Sequence, residues 1–387
     1  DGFGQTFSTP DPKSLTGFTW LEVDARAIQY NLKQFRKLIG PKVLLMPVVK
    51  ANAYGHGFLL VAKICQQAKE TDSICVVNLD EALELIKAGI TKKPIMILSF
   101  YDLDKEKLLR ATSRDVIFSI YRLDQAQALN KIGKLLNKKV KVHLKIDTGT
   151  SRLGVLPKQA VYFAKKIKKY KFLNLEGLWS HFASSEESRV YTEKQIKIFN
   201  KVSEDLEKAD IKIPIKHFAC SAATALYKET HFNAVRLGIS LYGLYSAASV
   251  KSKIKLKPAL SWYTKIIQIK TLPKGTKIGY GGTYITKRKT KLAILPIGYW
   301  DGYDRRLSNK SFVLIRGKKC PVRGRVCMNL TMIDVTDVSG VRLGDKETLV
   351  GHDHDQKITI DDLAKWTDTI NYEIADRVNP LLPRILK

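Results

Sequence analysis

Between Trp20 and Leu244 the chain alternates, about eight times, between a short apolar run and a longer amphipathic one. Val43–Val49 is followed by a helical pattern over Phe58–Lys69, Ile74–Leu79 by Glu81–Ala88, and Pro94–Phe100 by Lys105–Ala111. Val116–Ile120 precedes Leu123–Leu136, Val140–Ile146 precedes Gln159–Lys169, Leu175–His181 precedes Thr192–Ala209, and two shorter units end near Leu244. Strands that are apolar on both faces need cover on both faces, and a helix after each strand supplies it. Repeated with no topological break, the pattern predicts an α/β fold whose N-terminal part is a (β/α)8 TIM-type barrel over 18–247. After Ala247 the pattern changes to alternating strands with Gly, Pro and Asp turns: Ala259–Lys270, Lys291–Ile297, Phe312–Arg316 and Thr331–Val335. A mostly-β C-terminal domain is therefore expected over 248–387, and a flexible N-terminal arm over 1–17, where polar residues, Gly and Pro dominate.

Charge raises a competing possibility. Lys and Arg number 66 against 37 Asp and Glu, a formal net charge of +29, which suits a polyanionic partner such as nucleic acid or an anionic membrane. The positions favour a solvated surface instead. Lys165, Lys166, Lys168 and Lys169 surround Phe163 and Ile167 on an amphipathic helix, and Lys251, Lys253, Lys255 and Lys257 alternate with Ile254 and Leu256. No helix-turn-helix, zinc-finger or aromatic RNA-binding pattern accompanies them, so no specific nucleic-acid partner is expected. The longest apolar run, Val43–Val49, is far short of a membrane span. The five cysteines (65, 75, 220, 320, 327) are scattered and lack C-x-x-C spacing, which fits free thiols in a reducing, cytoplasmic setting. Gly351-His-Asp-His-Asp355 has some metal-ligand character, but it is short and lacks a third distant ligand group. It reads as a polar turn, and no metal is expected.

Lys50 is the first residue with chemical interest. It ends the apolar run Val43–Val49 and precedes Ala51-Asn-Ala-Tyr54-Gly-His-Gly57. The C-terminal strand ends of a barrel form its active-site mouth, where partial desolvation lowers a lysine pKa and frees the amine for covalent chemistry. A phenol and flexible backbone follow directly at Tyr54-Gly-His-Gly57.

The segment Val48-Val-Lys50-Ala-Asn-Ala-Tyr54-Gly-His-Gly closely resembles the pyridoxal-phosphate attachment motif of bacterial alanine racemases. The resemblance continues along the chain. It runs through Lys145-Ile-Asp147-Thr-Gly-Thr-Ser-Arg152-Leu-Gly, Trp179-Ser-His181-Phe-Ala, His217-Phe-Ala-Cys-Ser221-Ala-Ala and Val235-Arg236-Leu-Gly238-Ile239. In the β domain it includes Gly279-Tyr280-Gly-Gly-Thr-Tyr, Ile297-Gly-Tyr299, Gly324-Arg325-Val-Cys-Met328 and Ile370-Asn-Tyr372-Glu.

This resemblance implies a pyridoxal 5'-phosphate enzyme, active as a homodimer, that interconverts L- and D-alanine for peptidoglycan. It implies that Lys50 attaches the cofactor and acts as base on one face of the substrate. Tyr280, from the second subunit's β domain, acts on the other, helped by His181 and by Arg236 with His217 behind it. It also implies that Arg236 faces the cofactor's ring nitrogen and that Arg152 bonds its phenolic oxygen or the substrate carboxylate. Lys145 matches a carbamylated lysine able to orient Arg152. Tyr54, Ser221, Gly238, Ile239 and Tyr372 are the implied phosphate ligands. Tyr299 and Met328 line the substrate pocket, with Arg305, Arg325, Glu186 and Ile370 further out at its entrance.

At one position the sequence departs from this pattern: Asn329 stands where the family usually has Asp, which removes a charge near the pocket. A serine or broad-specificity racemase on the same scaffold is the alternative within enzymes, and Tyr372 favours a small side chain. A non-catalytic cofactor carrier would share the lysine-bearing barrel but would lack the β domain that brings Tyr280. A nucleic-acid-binding protein would bind in a salt-sensitive way and carry no chromophore.

Overall fold

A computed structural model describes residues 17–387, and all but Gly17 of the arm expected over 1–17 lies outside the described residues. The chain forms two compact units, Ala25–Ala259 and a second one combining the described part of Asp1–Asp24 with Leu260–Lys387.

Strand β1 (Trp20–Val23) precedes the first unit in sequence but pairs elsewhere. The first unit opens with the helix Ala25–Ile39, whose Ile28, Leu32, Phe35 and Ile39 recur at helical spacing and are buried. Then come β2 (Leu44–Pro47), β3 (Ile74–Val76), β4 (Ile95–Ile97), β5 (Ile117–Ile120), β6 (Val140–Lys145), β7 (Leu173–Trp179), β8 (Ile215–His217) and β9 (Ala234–Leu237). They form one parallel sheet in the order β2-β9-β8-β7-β6-β5-β4-β3. The circle closes between β2 and β3 through the parallel bridge Val48↔Cys75, with Val49 N donating to Cys75 O at 2.9 Å. Every residue of β3, β4 and β5 is buried, as a strand covered on both faces requires. The covering helices include Phe58–Gln67, Leu79–Lys87, Lys105–Ser113, Leu123–Leu135, Ala160–Lys168 and Arg189–Lys208, close to the helical patterns in the sequence. The eight-stranded barrel is thus formed as expected.

The second unit contains β1 and the strands β10 (Leu260–Lys265), β11 (Gln268–Leu272), β12 (Lys277–Ile278), β13 (Tyr284–Ile285), β14 (Thr290–Leu295), β15 (Phe312–Ile315), β16 (Lys318–Pro321), β17 (Thr331–Asp334), β18 (Lys346–Asp353), β19 (Gln356–Ile358) and β20 (Arg384–Leu386). The larger sheet runs β16-β15-β18-β10-β1-β20, with β19 on β18, and a three-stranded sheet runs β11-β14-β17. Buried Trp262 and Tyr303 meet edge-on in this unit.

The expected boundaries 18–247 and 248–387 differ from this division at both ends. β1 pairs antiparallel with β10 and parallel with β20 instead of entering the barrel. Its alternating burial suits a sheet with one covered face. Residues 248–259 stay with the barrel unit, because Asn31 bonds Leu241 O and both the N and O of Lys257. The single strand expected over Ala259–Lys270 is also two strands in two sheets. The break falls where Ile266 N donates to Asp345 O and Ile267 N to Ile294 O.

Candidate active site

Lys50 sits just beyond the C-terminal end of β2 and begins an unusual turn. Ala51, Asn52, Ala53 and Tyr54 all have left-handed backbones, with φ of 53°, 51°, 53° and 51°. For non-glycine residues that conformation costs roughly 1–2 kcal/mol each, so the surroundings must hold it. Glu81 accepts from Ala51 N at 2.9 Å with one oxygen and from Val77 N at 2.7 Å with the other. Asn52 Oδ1 accepts from Phe58 N, and Gly57 N donates to Asn52 O. Below the turn, Tyr242 packs against Tyr54 and His56 and donates to Val48 O at 2.8 Å.

Tyr54, Ser221 and Gly238 meet at the ends of β2, β8 and β9. A Cβ on residue 238 would lie 2.8 Å from the Tyr54 hydroxyl and 3.7 Å from Ser221 Oγ, so only glycine leaves this space open. Ser221 Oγ accepts from Gly238 N at 2.9 Å and from Ser240 N at 3.4 Å. With its lone pairs engaged, its hydrogen is available to an incoming oxygen. Ile239 begins the short turn that follows, buried beneath this cradle.

Beside it lies a buried cation. Arg236 Nη1 donates to His217 Nδ1 at 2.6 Å, and Nη2 donates to Ser180 O at 2.8 Å and Phe218 O at 2.9 Å. His181 Nδ1 is 3.4 Å from the same Nη2. The guanidinium faces the Trp179 ring, which stacks on His217. Burial draws the Arg236 pKa down to about 10, so it remains charged near neutrality. The same loss of water pushes His181 and His217 well below the ordinary imidazole range; Arg236 adds to both shifts, and the charges of Arg152, Lys145 and Lys50 act on His181 as well. Both imidazoles are therefore neutral.

Lys145, at the end of β6, donates to Leu98 O at 3.1 Å and lies over the Trp179 ring. Burial first, then Arg236, Arg152 and Lys50, bring its pKa down to about 7. Asp147 next to it shapes the loop that carries Arg152. One carboxylate oxygen accepts from Gly149, Thr150 and Ser151 amides, and the other from Arg152 N. Burial opposes ionisation of Asp147, yet these amide donors hold its pKa below the usual value.

The remaining candidates lie in the second unit. Tyr280 follows Gly279 in a tight turn and is 74% exposed. It borders a cavity of about 530 Å³ whose lining includes Ile278, Cys327, Leu330 and Met332. Tyr299 and Met328 are joined through backbone: Tyr299 N donates to Cys327 O and Trp300 N to Met328 O, each at 3.0 Å. Tyr299, Trp300, Met328 and Ile370 are all exposed apolar side chains, and Asn329 is exposed beside Met328. Arg325 lies against Gly281, and Arg305 is on the short turn Arg305–Leu307. Tyr372 lies on the helix Asn371–Asp376. Glu186, in the barrel unit, accepts from Ser185 Oγ at 2.7 Å. His352 lies near the end of β18 and His354 in the turn to β19, and no group of three His, Cys, Asp or Glu able to hold a metal occurs among the described residues.

The structure thus gathers Lys50, Tyr54, Lys145, Arg152, His181, His217, Ser221, Arg236 and Gly238 at one end of the barrel. Two residues absent from the sequence reading join them: Glu81, which clamps the turn after Lys50, and His143, whose Nδ1 is 2.9 Å from His217 Nε2.

The alanine racemase N-terminal domain model matches residues 23–246, and the C-terminal domain model matches residues 259–386. The chain belongs to the alanine racemase family. An alanine racemase of Halothermothrix orenii is 44% identical over 376 residues, 97% of this chain and 98% of that one. Among solved structures, an alanine racemase of Clostridium difficile 630 has a TM-score of 0.90 at 35% identity, covering 96% of each chain. The Bacillus anthracis alanine racemase with bound L-Ala-P has a TM-score of 0.88 at 37% identity, covering 96% of this chain and 95% of that one. The protein is accordingly an isomerase of the alanine racemase type, and alanine racemases are pyridoxal-phosphate enzymes. No helix among the described residues is long and apolar enough to cross a membrane.

Proposed function

We propose that the protein interconverts L- and D-alanine with pyridoxal 5'-phosphate, as a homodimer whose sites each combine Lys50 of one copy with Tyr280 of the other. The observation that carries this reading is the arrangement around Lys50: an open cradle of Tyr54, Ser221 and Gly238 on one side, and the buried Arg236–His217 pair on the other. A phosphate suits the cradle, because the Ser221 and Tyr54 hydroxyls and the late-strand backbone amide of Ile239 can donate to it, while Gly238 leaves the room and its own amide holds Ser221 Oγ. Tyr372 is the further phosphate ligand in this reading. When bound, the cofactor draws electron density from the substrate's α-carbon and so acidifies its proton.

The chain's own residues then move that proton. Lys50 Nζ takes it from, or returns it to, one face of the carbon, and the Tyr280 phenol of the partner subunit serves the opposite face. Two bases on opposite faces carry the reaction both ways. A phenol with an ordinary pKa near ~10 needs donors to act as phenolate. Because Arg236 occupies His181 Nδ1, the imidazole proton resides on Nε2, from which it can be offered to Tyr280. Arg236 uses both terminal nitrogens on neighbouring groups and keeps Nε–H for the cofactor's ring nitrogen. As a permanent cation it opposes protonation there and restrains side reactions. Arg152 holds the substrate carboxylate or the cofactor's phenolic oxygen. Tyr299 and Met328 of the partner line the pocket, with Arg305, Arg325, Glu186 and Ile370 at its entrance.

Lys145 has the chemistry needed for carbamylation. Its neutral amine can add to carbon dioxide with loss of one proton, and the resulting carbamate anion can orient Arg152. The exposed Tyr280, Tyr299, Trp300 and Met328 of the β-rich unit support a second copy as their cover. D-alanine formed in the cytoplasm would supply peptidoglycan.

The test is direct. The purified protein with pyridoxal phosphate converts L-alanine to D-alanine, followed by chiral chromatography, and L-serine in parallel measures breadth. Absence of D-alanine from protein that has bound the cofactor overturns the assignment. Faster conversion of serine places the protein among broad-specificity racemases, with Asn329 the first residue to revert to Asp.

A further inference from the structure

Behind Arg236 and His217 the polar contacts continue through the barrel wall. Arg236 can only donate, so His217 Nδ1 is an acceptor and the His217 proton lies on Nε2. That proton points at His143 Nδ1, 2.9 Å away, which places the His143 proton on its own Nε2. His143 Nε2 in turn faces Glu176 Oε1 at 3.7 Å, a charge–dipole contact longer than a hydrogen bond. Asn174 Nδ2 donates to the other Glu176 oxygen at 2.9 Å and holds the carboxylate in place.

The backbone is built to allow this. The pairing of β6 with β7 slips between Val142 and His143: Val142 lies opposite Leu175, but His143 lies opposite Gly177. Glu176 is the extra residue of a bulge, a feature that re-aims side chains and is rare in parallel sheets. At the next position a Cβ would lie 2.2 Å from the His143 ring, so the ring occupies the space that a side chain at Gly177 would fill. Bulge, glycine and histidine therefore form one device.

We infer that His143 and Glu176 are positioning residues for the racemase site: through His217 they fix the orientation of Arg236, and with it the donor that Arg236 presents to the cofactor. His143 is the acceptor that lets His217 remain buried with its Nε2–H satisfied while Nδ1 receives Arg236. Glu176 polarises His143 and so strengthens its Nδ1 as an acceptor. Without His143, the His217 Nε2–H is buried and unpaired, and the ring gains by turning it toward another acceptor. That turn removes the partner of Arg236 Nη1.

This inference rests on the racemase reading for its effect on catalysis, but its structural part is read without activity. In protein labelled with 15N-histidine, His217 shows a single tautomer, protonated on Nε2. In His143→Phe, whose ring fits the space at Gly177, the His217 resonances change to those of a mixed or reversed tautomer. In His143→Gln, whose side-chain oxygen can accept from His217, the single tautomer returns. On the enzyme, His143→Phe lowers kcat by about tenfold with little change in KM for alanine, His143→Gln recovers most of it, and Glu176→Gln has a smaller effect in the same direction. A folded His143→Phe protein with an unchanged His217 spectrum overturns the positioning role. A changed spectrum with unchanged kcat overturns its link to catalysis. If the labelled protein shows the predicted tautomers and no variant or wild type racemises alanine, the relay stands and the racemase assignment fails.

Discussion

Lys50→Ala lowers alanine turnover by at least about a thousandfold, since general-base catalysis alone contributes ~10²–10⁴ and, in the proposed mechanism, the same amine also attaches the cofactor. The turn that holds Lys50 does not depend on its side chain: Glu81 clamps the Ala51 amide and Asn52 clamps that of Phe58. The variant should therefore fold as the parent does. Borohydride reduction followed by denaturing mass spectrometry supplies the second reading. The parent retains one cofactor mass per chain and Lys50→Ala retains none, although both bind the cofactor before denaturation. A variant that keeps more than about a tenth of parental turnover, or whose denatured chain keeps the cofactor on another lysine, contradicts the role given to Lys50.

Tyr280→Phe has an effect of similar size but a different character. Removing one hydroxyl from an exposed side chain changes little in the fold, so the ~10²–10⁴-fold loss expected for one of two bases falls on racemisation itself. In the proposed mechanism Lys50 still serves its own face of the α-carbon. In deuterated water the variant therefore continues to exchange the α-hydrogen of one alanine enantiomer, seen as loss of its proton NMR signal, while the other enantiomer neither exchanges nor appears. A single base serving both faces would leave exchange and racemisation reduced together for both enantiomers. Unchanged racemisation by Tyr280→Phe would remove Tyr280 from the mechanism.

Much of the barrel could be read from the sequence because its strands are covered on both faces. Ile74–Val76, Ile95–Ile97 and Ile117–Ile120 are buried throughout, and a run with no polar alternation followed by an amphipathic helix leaves few other folds. Chain order says less about β1. Its four residues fall inside the stretch 18–247 expected to form the barrel, and only pairing with β10 and β20 shows that they belong with the β-rich unit. The division between β10 and β11 is signalled only by a change of phase: Leu260, Trp262 and Ile266 share one phase of the alternation and Ile267 and Ile269 the other, where the pairing partners change.

At the site, residues inside contiguous motifs were legible and those acting through space were not. Lys50, Arg236 and Ser221 carry their neighbours with them in sequence. His143 sits in the apolar strand Val140–Lys145 and reads as a core histidine until Gly177 is placed opposite it. The pair Glu176-Gly177 inside a strand is the local sign of a bulge, and it is the one cue that could have pointed to His143. Glu81 looks like an ordinary residue of a helix first turn, and its bonds to Ala51 and Val77 depend on the closure of β2 against β3. The left-handed turn is equally silent, because none of Ala51, Asn52, Ala53 and Tyr54 is glycine.

The surplus of 29 positive charges acquires a narrower meaning. Lys50, Lys145, Arg152 and Arg236 act together on His181, which makes this end of the barrel suited to a phosphate and a carboxylate. The surface lysines add a general attraction for both.

The central claim is that each active site is shared between two copies, and mixing the two inactive variants tests it most directly. Lys50→Ala and Tyr280→Phe chains, differently tagged, are unfolded together and refolded with pyridoxal phosphate, and the mixed species is confirmed by sequential capture on both tags. In each mixed dimer one site lacks both bases and the other has both intact. Equal amounts of the two chains should therefore recover about a quarter of parental activity, half of the dimers being mixed with one working site in two. Mixed dimers that form in the expected amount and show no activity above either variant alone would contradict the account.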